Sequence, residues 1–292
     1  EGKQRAASKF KLSFDDLPYF QTLHSFCFNQ LGLARDQVMK EKHYKELGEK
    51  MGLEIEGTQQ DEDHDSVFYS KNPYIQLINI ARSKEIDPVK YYHLTDNQQV
   101  SLNKLKIISE ELERYKSEHG LIDFPDMIEK FLAAGEPPKL RVMFVDESQD
   151  LSLIQWKLVR RIEEAATDSF IAGDDDQAIH RWTGVNVQRF IDSSANVKVL
   201  SKSYRLPRAV WDVSQRISKR IPNRIPKEFY PREEEGKVTS VWRVWDLPLD
   251  QGSWTIMART NSFVKDMAEE LRSLGYFYSI KGKPAIRSEY IE

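Results

Sequence analysis

The alternation of apolar and polar positions changes texture along this chain, and it is sharpest at Leu140–Asp150, LRVMFVDESQD. An almost unbroken apolar run, Val142 to Val145, stops at two adjacent carboxylates, Asp146 and Glu147. A run of that length and composition predicts a strand buried on both faces of a parallel sheet. Ligands of open α/β sheets sit just beyond the carboxyl ends of the strands, so these acids are placed to meet a metal or a phosphate. The same run also fits a strand that simply exits into a polar turn.

Before that strand, Glu1–Lys11 is basic and helix-compatible, and it begins as though cut from a longer helix. Pro18 interrupts the pattern, and Gln21–Cys27 mixes apolar residues with Thr22, His24 and Ser25. A histidine beside aromatics is an ordinary core residue as well as a possible ligand contact. Ala34–Lys139 reads as a mostly helical insert. Its helices are expected from a cap at Asp36 to Met51, over Asn72–Arg82, over Ser101–His119, and from Asp123 or Pro125 to a stop at Gly135. Thr58–Asp65, TQQDEDHD, reads as a solvated acidic loop. The spacing of Asp61, Asp63, His64 and Asp65 matches neither an EF-hand nor a zinc site.

From Leu140 to about Ser218 strands and helices alternate. A helix over Ser152–Ala166 carries Ile154, Leu158 and Ile162 on one stripe. A second strand, Ser169–Ala172, runs into Gly173–Gln177, and a short helix is expected over Val187–Asp192. A third strand, Val197–Leu200, runs into Ser201–Arg205, with Pro207 where a helix would begin. Three strands ending in polar clusters would line those clusters along one edge of a parallel sheet. Farther on, Ile221–Glu235 holds Pro222, Pro226 and Pro231 and reads as a linker. Strands at Val238–Trp245 and Trp254–Ala258, a helix over Ser262–Leu274 and a strand from Tyr276 to Ile280 read as the opening of a second α/β domain.

Composition narrows the function classes. With 292 residues the chain has room for two or three compact units. Lys+Arg 43 against Asp+Glu 46 gives a formal charge of -3, so any nucleic-acid binding must rest on a local groove. The one cysteine, Cys27, excludes an internal disulfide and suits a reducing compartment. No apolar run approaches membrane-spanning length and the polar start EGKQRAASK is no secretory signal, so a cytoplasmic protein is expected.

The polar clusters carry a resemblance. MFVDESQD, IAGDDDQAIHRWTG and LSKSYRLP resemble, in order and approximate spacing, motifs II, III and IV of the superfamily 1A DNA helicases, the UvrD/Rep/PcrA family. QTLHSFC is similar to the family's motif Ic, GLIDFPDMI to the close of its inserted 1B domain, and TIMARTNSFVKDMAEELRSLGYFYSIKG to the start of its 2A domain. The likeness is weakest over Ala34–Glu118. It implies an α/β fold with a RecA-like parallel sheet core, a helical insert and the start of a second RecA-like domain. The implied segments are 1–33 and 140–206 for domain 1A, 34–139 for 1B, and 207–292 for the beginning of 2A.

The resemblance also implies roles. Asp146 organises Mg²⁺, Glu147 polarises the attacking water, Gln149 connects the nucleotide site to the rest of the machine, and Gln177 senses the γ-phosphate of ATP. Arg205 serves as arginine finger and Tyr204 stacks on adenine. Trp182 and His180 stack on bases of single-stranded DNA, and His24, Arg259 and Asn261 touch its backbone. Substrates would be single strands and single/double-strand junctions, travelled 3′→5′ in the nucleoid, with protein partners unspecified.

Two departures qualify this picture. His180 stands where the family usually has Tyr, and Thr183 where it has Arg, which removes a cationic contact. The phosphate-cradling G-x-x-x-x-G-K-[ST] occurs nowhere in the sequence, and nothing resembles motifs V and VI. The chain is therefore expected to begin just after motif Ia, to stop inside 2A, and to hydrolyse ATP poorly alone. A non-catalytic module that binds DNA or a protein partner, and the motor of a helicase–nuclease, are the rival expectations.

Overall fold

The computed structural model describes residues 2–53, 55, 58–60, 68–70, 72–96, 99–179, 183–193, 196–280 and 282–284. Asp61, Asp63, His64 and Asp65 of the acidic loop, together with His180 and Trp182, lie outside the described residues. The chain divides into two compact units, 1–201 with 216–229, and 202–215 with 230–292.

Local capping chemistry sets most helix ends in the first unit. After α1 (Gly2–Phe10), Thr22 caps α2 (Leu23–Gln30) by accepting from Ser25 N. The helix expected from a cap at Asp36 instead has its cap position four residues later, at Lys40, and forms as α3 (Glu41–Met51). The physical reason is a competing ladder. Met39 N donates to Ile122 O at 2.8 Å and Ile122 N to Gln37 O at 2.8 Å, which holds this stretch extended until Lys40. A short antiparallel pair, β1 (Thr58–Gln60) and β2 (Phe68–Ser70), precedes α4 (Pro73–Ser83), capped by Asn72 with Pro73 in its first turn. Asp87 caps α5 (Pro88–Leu94), and α6 (Leu102–His119) stops at Gly120 in the left-handed conformation. Asp123 and Asp126 form a reciprocal capping box at the head of α7 (Phe124–Ala134).

Two apolar clusters result. One gathers Tyr44, Leu47, Ile75, Leu105, Ile108 and Leu112 from α3, α4 and α6. The other joins Phe26 and Cys27 of α2 and Ile128 and Phe131 of α7 to the sheet and to α8 (Leu153–Glu163). Burial pushes the Cys27 thiol up to about 12, which makes it an inert core residue.

Between the clusters lies a buried ionic network. The Arg82 guanidinium on α4 donates to Asp123 at 2.8 Å, to Asp126 at 2.5 Å and to Glu129 at 2.7 Å. Lys116 on α6, itself buried, reaches Asp123 and Asp126 at 3.0 Å each. Burial alone would push the Asp126 carboxyl up, but Arg82 and Lys116 outweigh it and hold the group below its ordinary value.

The central strand forms as β3 (Leu140–Val145), parallel to β4 (Ala166–Ile171), with Val142 opposite Asp168 and Val145 opposite Ile171. Two expectations fail here. The strand is not buried on both faces: Met143 points into the core, whereas Phe144 is 76% exposed and stacks at 4.9 Å on Phe170. The predicted third strand, Val197–Leu200, has no regular secondary structure and joins no ladder, and Leu200 is 84% exposed. Apolar β-formers need a neighbouring strand to satisfy their backbone, and propensity alone does not supply one. The short helix α9 (Val187–Asp192) forms as expected.

The second unit comprises α10 (Arg208–Ser218), whose last residues pass into the first unit, α11 (Asn261–Ser273) capped by Thr260, and a minimal hairpin of β5 (Ser279–Ile280) with β6 (Lys283–Pro284). The strands expected at Val238–Trp245 and Trp254–Ala258 are irregular, for the same want of partners. Among the described residues no helix is long and apolar enough to cross a membrane.

Replacing Arg82 with Met leaves Asp123 and Asp126 buried beside a single cation. Loss of one partner from such a network costs about 3–5 kcal/mol. Urea denaturation of Arg82→Met is expected to show a midpoint lowered accordingly, and an unchanged midpoint would show that the network contributes no net stability.

Candidate nucleotide site

The carboxyl ends of β3 and β4 lie side by side because the ladder continues past both strands. Ala172 N donates to Val145 O at 2.7 Å and Ser148 N to Ala172 O at 3.0 Å. Asp146 and Glu147 follow directly and are exposed at this edge, with Glu147 N donating to Asp146 Oδ1 at 3.0 Å. Glu147 adopts φ 51°, ψ 36°, the left-handed region. For a residue with a Cβ this costs about 1–2 kcal/mol, so the surrounding bonds must enforce it.

Gln149 supplies part of that enforcement. Its buried amide donates from Nε2 to Glu147 Oε2 at 2.7 Å and to Asp150 Oδ2 at 3.3 Å, and its Oε1 accepts from Asp174 N at 2.9 Å. One side chain thus ties the turn after β3 to the loop after β4. Gly173 makes room for it, since a Cβ there would lie 2.5 Å from Gln149 Oε1 and 3.1 Å from the Phe190 ring.

The loop after β4 brings Asp174, Asp175 and Asp176 together, with oxygens within 4.8 Å of one another. Gln177 is exposed beside them, and its Nε2 donates to Asp174 Oδ2 at 2.7 Å. Two cations from the stretch expected to be a linker offset most of the charge of this cluster. Arg224 grips Asp176 at 2.7 and 2.5 Å, and Lys227 Nζ lies 2.5 Å from Asp174 Oδ1 and also bonds Asp175. Burial would push the Asp174 carboxyl up, but the bonds from Lys227 and Gln177 hold it below its ordinary value. Reading Ile221–Glu235 by its prolines hid this role. The cue was available: two cations three residues apart in an otherwise rigid IPNRIPK segment, in a chain with three consecutive aspartates.

The structure brings Asp146, Glu147, Gln149 and Gln177 to one edge of the first unit. His24 lies elsewhere in that unit, buried against the edge of Phe124 at 5.7 Å, beside a cavity of about 40 Å³ also lined by Asn79, Asp150 and Gln155. Burial lowers its pKa to about 4. Its ring is withdrawn from the surface, so in this conformation His24 packs the core and does not present itself to a DNA backbone. The remaining described candidates belong to the second unit. Tyr204 is 77% exposed with Lys202 Nζ 5.3 Å from its ring centre, Arg205 is exposed next to it, and exposed Arg259 and Asn261 flank the cap of α11. Sequence reasoning missed Lys227, Arg224 and the bridging part of Asp174.

Gly173→Ala is expected to displace Gln149 and to lower stability by about 1–3 kcal/mol, the usual cost of overpacking, read as a thermal shift. His24 predicts a pH effect. Its folded value near 4 lies below the unfolded value near 6.5, so the unfolded chain binds the extra proton between them. Stability is therefore full above about pH 6.5 and falls as the pH drops toward 4, by on the order of 3 kcal/mol. Denaturation midpoints measured across that window should slope less steeply in His24→Leu than in the parent chain.

Comparison with known proteins gives the family. Residues 1–198 match the model of the UvrD/REP helicase N-terminal domain. The ATP-dependent DNA helicase PcrA of Bacillus subtilis is 23% identical over 97% of this chain and 42% of its own length. YjcD of the same organism is 23% identical over 84% of this chain and 34% of its own length, and the ATP-dependent DNA helicase Rep of Buchnera aphidicola is 31% identical over 26% and 13%. The chain thus spans about two-fifths of the PcrA it matches. With more than half of its residues covered by that one model, the chain belongs to the UvrD/REP helicase N-terminal domain family.

Proposed function

We propose that this chain is motor sequence of an ATP-dependent DNA helicase that moves 3′→5′ along single-stranded DNA and opens single/double-strand junctions, in the cytoplasm and on the nucleoid. The observation that carries the reading is the bonded path Glu147–Gln149–Asp174–Gln177 along the carboxyl edge of the parallel strands. It ties an acid suited to water activation to an amide suited to phosphate sensing. The names of the relatives support ATP and DNA as ligands.

Asp146 fits the part of Mg²⁺ ligand. It is an exposed carboxylate at a strand end, and Mg²⁺ needs one or two carboxylates, its remaining positions going to water and phosphate oxygens. The three-aspartate cluster is less suited to the ion, since Lys227 and Arg224 already occupy a carboxylate oxygen of each of the three residues. Bound there, the metal would offset charge on the phosphates. Glu147 would take the proton from the attacking water, and Gln177 would report the γ-phosphate without titrating. Arg205 and Tyr204 would serve as arginine finger and adenine platform. Trp182, with His180, would carry base stacking, worth about 1–3 kcal/mol per base, while Arg259 and Asn261 hold the strand's backbone. His24 would join them on the backbone only in a conformation that uncovers its ring, which is buried here. In domain terms, 1–33 and 140–206 would form 1A, 34–139 the 1B insert and 207–292 the start of 2A.

The missing G-x-x-x-x-G-K-[ST] favours a second reading for the chain by itself, a non-catalytic module that binds DNA or a protein partner. Two measurements separate them. The complete gene product is expected to show ATPase activity stimulated by single-stranded DNA, lowered about 10²–10⁴-fold in kcat by Glu147→Gln. The purified 292-residue chain is expected to show no multiple turnover. Turnover by the chain, or a complete product indifferent to DNA, would refute the respective claim.

A further inference from the structure

We propose that Lys227, seconded by Arg224, is a positioning residue for Gln177, acting through Asp174; this rests on the phosphate-sensor reading of Gln177. Three adjacent carboxylates with oxygens within 4.8 Å repel one another unless cations hold them. Lys227 Nζ sits among all three, 2.5 Å from Asp174 Oδ1 and 3.3 Å from Asp176 Oδ2, and bonded to Asp175. Arg224 makes a two-pronged contact with Asp176, the geometry that fixes a carboxylate's orientation as well as its charge. Ile225 N donates to Asp175 Oδ2 at 2.8 Å, so backbone and side chains of the same segment share the task.

Asp174 is where this scaffold reaches the sensor. Its Oδ1 is taken by Lys227 and by Asp176 N at 3.2 Å, which leaves Oδ2 facing Gln177 Nε2 at 2.7 Å. Gln177 itself is exposed, and its amide is oriented by this bond to Asp174. Without Lys227 the Asp174 carboxylate can turn, and the Gln177 amide loses its fixed direction. Misplacement of a reacting or sensing group by about 1 Å can cost on the order of 10²-fold in rate. The segment that supplies both cations, 216–229, belongs to the same unit as the acidic loop, although the chain on either side of it belongs to the other.

In the complete gene product with Mg-ATP and an oligothymidylate, Lys227→Met is expected to lower kcat at least tenfold with KM for ATP within twofold, and Lys227→Arg to restore most of the loss. Combined with Gln177→Ala, Lys227→Met should add little further loss, because both act through one group. A kcat within twofold of the parent, or losses that multiply, would overturn the proposal. A readout independent of activity is the Gln177 side-chain amide resonance in the purified chain, assigned by its disappearance in Gln177→Ala. It should shift and exchange faster with solvent in Lys227→Met, and an unmoved resonance also overturns the proposal. If the parent product lacks DNA-stimulated ATPase, the helicase reading falls and the resonance alone decides the positioning role. Should Lys227→Met fail to fold, Arg224→Gln carries the same comparison, with a smaller effect in the same direction.

Discussion

The arrangement at the sheet edge depends on one buried primary amide. Gln149 offers two N–H donors and a carbonyl in a place water does not reach, and an unmet donor or acceptor there would cost about 1–3 kcal/mol. Its partners come from both sides of the strand pair: Glu147 and Asp150 from one turn, Asp174 from the other. Satisfying the amide therefore fixes the two loops against each other. The requirement spreads outward to Gly173, which lacks the Cβ that would strike the amide, and to Phe190 of α9, which closes over the same spot.

Charge is handled by the same rule of local completion. The first unit buries Arg82 and Lys116 with Asp123 and Asp126 between two apolar clusters, and half-buries Lys227 and Arg224 with three aspartates beside the sheet edge. In each case burial pushes a carboxylate up, and cations within hydrogen-bond reach hold it below its ordinary value, Asp126 in the first network and Asp174 in the second. The near-neutral total of the chain conceals these strong local fields. The two networks differ in place: the first holds helices together, and the second sits beside groups that bear the proposed chemistry.

Much of this was legible in the residues. The helices over 73–83 and 124–134 announced themselves through the capping residues Asn72 and Asp123, and those over 102–119 and 124–134 through glycine at their tails, because capping is a local contract between neighbours. The acids after β3 and the amide after β4 were legible as strand-end chemistry. Strands at 197–200, 238–245 and 254–258 were misread, since a strand is completed by a partner that a one-dimensional pattern does not contain. The start of α3 was displaced for a related reason: a bridge from Val38 to Ile122, far along the sequence, outcompeted the cap at Asp36. The pairing of Lys227 and Arg224 with the acidic loop was harder to read, because some fifty residues separate the partners and only their opposite charges pointed to it.

The left-handed backbone of Glu147 carries a consequence for redesign. Glycine at this position would relieve the strain and tighten the fold, yet it would delete the very acid that faces the edge. Variants selected for robustness alone would drift toward that smaller residue. Redesign guided by backbone strain alone would therefore remove the carboxylate that stands at the sheet edge beside Asp146.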